Sequence, residues 1–152
     1  WQASSTPFVA GLVYYAGHDI NLYFLRNFLR LHWLTSSWNA DEAMPGGMLE
    51  MELLADRPHG STGRLVEHAY KSSSTHQTSF FIKLYFSSQS YSQQRDASKL
   101  TGAASTPPDR VFVTIPECAS GPESSCPLAG FRSLVLRAIR AECVSTVSVR
   151  EL

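Results

Sequence analysis

Apolar and polar positions change their period several times along this chain, and each change marks an element. Phe8 to Tyr15 is apolar on both alternating faces, which predicts a central strand covered on both sides. From Asn21 to Leu31 the period turns helical, with Leu22, Leu25 and Leu29 on one face and Arg26, Asn27 and Arg30 opposite. Leu31-His32-Trp33-Leu34 leads into a polar turn from Thr35 to Glu42, and Met44-Pro45-Gly46-Gly47 is a second turn signal. Met48 to Leu54 reads as a strand. Phe80 to Phe86 has the strongest strand pattern, and Val111 to Ile115 is another, closed by Pro116. Pro127 suits the first turn of a last helix. There Leu128, Phe131, Leu134, Val135 and Ile139 share a face, with Arg132, Arg137 and Arg140 turned away. The polar stretch 55–78 is expected to be a surface loop joining two strands of a hairpin, and Ser87 to Pro108 is also polar.

Gly17-His18-Asp19-Ile20 falls where the first strand should end and the first helix begin. In open α/β sheets ligands bind at this edge, and the N–H groups of a helix start favour an anion. A histidine able to carry a proton beside such a site points to phosphate chemistry. The plainer reading is an Asp that caps a helix, with an incidental histidine next to it.

With 152 residues the chain can form one domain with a sizeable core. Thirteen basic residues balance thirteen acidic ones, which argues against a general nucleic-acid or anionic-membrane partner. No apolar run approaches the roughly 18 residues of a membrane helix. The chain begins at Trp1 without a basic and apolar leader and enters a buried-type strand almost at once. The expectation is therefore a fragment that lacks an N-terminal part.

The cysteines are Cys118, Cys126 and Cys143. The first two bracket a polar loop that a disulfide would staple, leaving Cys143 to seek a partner elsewhere. A disulfide implies an oxidising compartment, and three reduced thiols are the alternative. Their spacing suits zinc poorly. His32, His68 and His76 have no paired carboxylate or histidine at useful spacing. Arg57-Pro58-His59-Gly60 looks like an Arg-His-Gly phosphate motif, but proline interrupts it and no strand and helix flank it, so it reads as a solvated turn. There is no phosphate-binding P-loop, dinucleotide glycine motif, H-E-x-x-H or G-x-S-x-G.

Several segments together resemble one family. Ala16-Gly17-His18-Asp19-Ile20-Asn21-Leu22 resembles the His-Asp signature of the histidine acid phosphatases. Pro45-Gly46-Gly47 followed by Glu52 is similar to that family's Pro-Pro-Gly-Gly turn and the glutamate of the next strand. Gln94-Arg95-Asp96, Thr106-Pro107-Pro108 and Val111-Phe112-Val113 continue the likeness in order. Cys118, Cys126-Pro127-Leu128-Ala129-Gly130-Phe131 and Cys143 resemble the C-terminus of bacterial periplasmic phytases and glucose-1-phosphatases.

The resemblance implies an α/β fold, the C-terminal portion of a mixed sheet flanked by helices, spanning 1–152. It implies an acid phosphomonoesterase working through a phosphohistidine, with no cofactor or metal. Its substrate would be a phosphorylated small molecule such as an inositol phosphate or sugar phosphate, and its location periplasmic or secreted. Asp19 takes the position of the proton donor and His18 that of a phosphate contact. Ile20 stands where the bacterial phytases usually carry Thr. The same pattern pairs Cys118 with Cys126 and sends Cys143 to a cysteine outside the chain. The family's Arg-His-Gly-x-Arg-x-Pro, which bears the nucleophilic histidine, does not occur in these 152 residues. The chain alone is therefore expected to be inactive. The rival readings are a non-catalytic module for phosphorylated ligands and an inactive remnant.

Overall fold

The computed structural model describes residues 11–56, 79–100 and 107–140. Helix α1 (Asp19–Leu29) starts two residues earlier than the hydrophobic period predicts. Its C-terminus is set by Arg30, which takes the left-handed conformation at φ 52° and closes the last turn. An irregular stretch then leads through Pro45-Gly46-Gly47. Gly46 sits at φ 75°, where a side chain would be strained.

Strands β1 (Met48–Asp56) and β2 (Ser79–Ser88) pair antiparallel, with Met48 opposite Ser87 and Asp56 opposite Ser79. The expected hairpin is thus present. Ala55 and Asp56, expected in the loop, belong to β1, and 57–78 lies outside the described residues, with His59, His68 and His76. The short helix α2 (Tyr91–Arg95) comes next. Strand β3 (Asp109–Val113) pairs antiparallel with β2, and the two-residue β4 (Cys126–Pro127) pairs with β2 beyond it. Helix α3 (Leu128–Ala138) closes the described order.

Alternation along β2 decides which face is inside. Ile82, Leu84 and Phe86 point into the core with Val113 and Ile115, and Leu29, Leu31 and Trp33 cover them from the α1 side. Phe131, Leu134 and Val135 of α3 pack against this cluster, as their spacing predicts. On the other face Arg110 bridges the strands. Its guanidinium holds Glu50 at 2.9 Å and Glu52 at 2.6 Å and lies 3.5 Å from the centre of the Tyr85 ring.

Cys118 and Cys126 form a disulfide, with Cα atoms 4.8 Å apart. Closing so short a loop restricts the unfolded chain by roughly 2–3 kcal/mol in the loop-entropy account. Gly130 makes room for it: a Cβ there would meet Cys118 Sγ at 3.0 Å. Cys143 lies outside the described residues.

Two expectations need correction. Gly11 to Tyr15 forms no strand, and Leu12 is 94% exposed. A strand exists only where a neighbour completes its backbone hydrogen bonds. Among the described residues the ladders engage only β1 to β4, so the apolar run is left unpaired. The remainder of that run, Phe8 to Ala10, lies outside the described residues. The helical face also differs from its reading. Leu25 is exposed while Phe28 packs on the core, and Arg26 is drawn inward to a carboxylate.

Candidate functional site

The N-terminus of α1 is built from local backbone needs. His18 is the residue before the helix, extended at φ −97°. Its N–H donates to Asn21 Oδ1 at 2.8 Å, and the Asn21 N–H donates back to the His18 carbonyl at 2.9 Å. This reciprocal pair pins the first turn. Gly17 leaves room for the same contact, since a Cβ there would lie 3.0 Å from Asn21 Oδ1. Asp19 begins the helix. Its Oδ1 accepts the Ile20 N–H at 2.8 Å and also meets Nδ1 of His18. His18 and Asp19 are therefore brought into side-chain contact. Both are open to solvent, His18 at 82% and Asp19 at 48% side-chain exposure. Ile20 is exposed beside them.

This is an accessible imidazole and carboxylate pair at the positive end of an 11-residue helix. Such a pair can present an N–H to an anion and a carboxyl group to a leaving oxygen. It stands at a helix start, as the sequence implies, but with no strand leading into it. Among the described residues no group of three or more His, Cys, Asp or Glu is placed to hold a metal.

A second polar cluster was not legible locally. Asp41, in the turn after α1, sits at φ 64° and is only 18% exposed. It accepts from Arg26 Nη2 at 2.5 Å, His32 Nδ1 at 2.9 Å and the Trp33 N–H at 2.9 Å. His32, which looked unpartnered in the sequence, thus has a carboxylate from nine residues away. No spacing rule connects residues so placed in an irregular turn. Burial alone would raise Asp41. The hydrogen bonds from Arg26, His32 and the Trp33 backbone, with the Arg26 charge, outweigh it and hold the carboxyl at about 2 rather than 3.8.

The sign of the pH effect follows. A carboxyl depressed on folding stabilises the fold above its unfolded value, and that contribution disappears as pH falls from 3.8 to about 2. The contribution is about 2 kcal/mol. Wild type is expected to lose stability relative to Asp41→Asn over that window. Parallel pH–stability curves for the two in chemical denaturation would contradict it.

The fold has counterparts among solved structures. The phytase from Citrobacter braakii superposes with a TM-score of 0.62 at 25% identity, over 86% of this chain and 28% of that one. The phytase of Hafnia alvei matches in two complexes. With myo-inositol hexakis sulphate the TM-score is 0.59 at 20% identity, over 85% of this chain. With tartrate it is 0.59 at 21% identity, also over 85%. The structural neighbours of this chain are bacterial phytases.

The chain spans 27–28% of the length of those enzymes. No protein-family model matches the sequence, and no curated protein does. The shared fold is a mixed arrangement of helices and strands, and here the described pairings are antiparallel. Among the described residues no helix is long and apolar enough to cross a membrane.

Proposed function

We propose that this chain is the C-terminal part of a histidine acid phosphatase, a phosphomonoesterase of the phytase or sugar-phosphate type. The observation that carries the reading is the exposed His18–Asp19 contact at the start of α1, within a fold whose structural neighbours are phytases. The myo-inositol hexakis sulphate bound to the Hafnia alvei enzyme supports a small polyanionic substrate.

In this reading a histidine outside the chain attacks phosphorus. The bond from phosphorus to the alcohol oxygen breaks, and its electrons leave with that oxygen. Asp19 delivers a proton to it, so the alcohol departs neutral and a phosphohistidine remains. Water then releases inorganic phosphate. His18 donates to a phosphoryl oxygen, and because Nδ1 already faces Asp19, Nε2 is the nitrogen turned to the phosphate. Ile20 offers no hydroxyl, which favours substrates other than phytate itself. The Cys118–Cys126 disulfide supports a periplasmic or secreted location.

The missing Arg-His-Gly-x-Arg-x-Pro favours a chain inactive on its own, and it also motivates the rival, a non-catalytic binding module. The test compares the 152-residue chain alone with the chain joined to a segment bearing that motif, using a nitrophenyl phosphate and a sugar phosphate. No turnover is expected alone and turnover in the joined protein. Turnover by the chain alone would refute the assignment. Phosphate binding by the chain with a joined protein that stays inert would favour the module.

A further inference from the structure

Helix α1 has His18 and Asp19 exposed at its start and is tied to the rest of the fold farther along. Ile20, Phe24 and Leu25 are exposed, Phe24 at 63%, whereas Leu22 and Phe28 pack on the core and Leu29 is buried. The polar ties come from the middle of the helix onward. Tyr23 Oη accepts the Ala43 N–H at 3.2 Å, and Arg26 reaches Asp41.

Asp41 is where that helix meets the sheet. Its N–H donates to the Trp33 carbonyl at 2.8 Å while its carboxylate takes the Trp33 N–H. The Trp33 ring stacks on Phe86 of β2, with centroids 4.5 Å apart and planes 13° from parallel. Arg26 is itself only 25% exposed, and its Nε is buried without a hydrogen-bond partner. Asp41 is the carboxylate paired with its charge.

We propose that Asp41 is a positioning residue: it fixes the direction of α1 and thereby the place of the His18–Asp19 pair. The lever is simple. Seven residues separate Asp19 from Arg26, about 10 Å of helix at ~1.5 Å per residue, so a tilt of about 10° moves the N-terminus by roughly 2 Å. A misplacement of about 1 Å at a reacting centre can cost 10²-fold in rate. The functional weight of the proposal rests on the phosphatase reading, whereas the anchoring of α1 does not.

Amide hydrogen exchange read by mass spectrometry on the whole chain tests it. Asp41→Asn is expected to speed exchange of the Leu22–Leu29 amides by roughly tenfold or more and to leave Ile82–Phe86 at wild-type rates. Val113→Ala, which weakens the common core, is expected to move both segments together. Asp41→Glu is expected to recover part of the protection. Unchanged α1 exchange in Asp41→Asn, or a parallel rise in α1 and β2, overturns the proposal. Should Asp41→Asn fail to fold, Arg26→Lys is read by the same two criteria. An α1-specific response alongside failure of the joined-protein assay would retain the anchor and discard only the phosphatase reading.

Discussion

In an enzyme completed by the nucleophile-bearing segment, Asp19→Asn is expected to slow hydrolysis of an alkyl or sugar phosphate by roughly 10²–10⁴-fold. It is expected to leave a nitrophenyl phosphate within about tenfold of wild type, because general acid catalysis counts in proportion to the charge on the departing oxygen. A nitrophenolate carries that charge in its ring and leaves without a proton. An alkoxide does not. Asp19 is suited to the task by place as well as type: it is half exposed, at the first helical position, with His18 against it. His18→Ala should harm both substrate types, since the group it would touch is the phosphoryl common to them. The measurement is the ratio of kcat/KM for the two esters in each variant. Equal losses for Asp19→Asn would make Asp19 a helix cap or a structural contact instead of the acid.

Phe86→Ala is the substitution expected to damage the fold most, by about 3–5 kcal/mol. Phe86 is 1% exposed near the C-terminal end of β2. Its ring supports Trp33, which in turn holds Asp41 and the turn after α1. Truncation removes buried apolar area and leaves a cavity beneath the stacked indole, and the two losses add. The loss is a large share of the 5–15 kcal/mol that stabilises a typical domain. Thermal unfolding followed by far-UV circular dichroism reads it. A midpoint within a few degrees of wild type would show that the core closes over the gap. Met at the same position keeps most of the volume and is expected to recover most of the loss.

Much of the secondary structure was readable because it depends on near neighbours. The apolar, aromatic-rich pattern of Phe80–Phe86 placed β2. The apolar spacing of Phe131, Leu134 and Val135 placed α3. Helix α2 was missed, although Ser90 and Gln93 carry its signal. Ser90 Oγ accepts the Gln93 N–H and Gln93 Oε1 the Ser90 N–H, a capping box inside a stretch that reads only as polar.

The unpaired Gly11–Tyr15 run shows the opposite failure. Hydrophobicity marks a segment that can be a strand, but pairing decides whether it is one. The polar contacts divide in the same way. His18 and Asp19 are adjacent, so the pair was legible while their side-chain contact was not. Arg110 is far in sequence from Glu50 and Glu52, and only the β1–β2–β3 register brings it to them.

The sequence by itself determined the order of α1, β1, β2, β3 and α3 and the loop that the disulfide closes. Each depends on local periodicity or short spacing, where few chain conformations compete. Tertiary structure alone decided that Asp41 gathers Arg26, His32 and Trp33. Those contacts arise where an irregular turn folds back on a helix and a core ring. Their geometry is set by packing against Phe86, which no local pattern encodes.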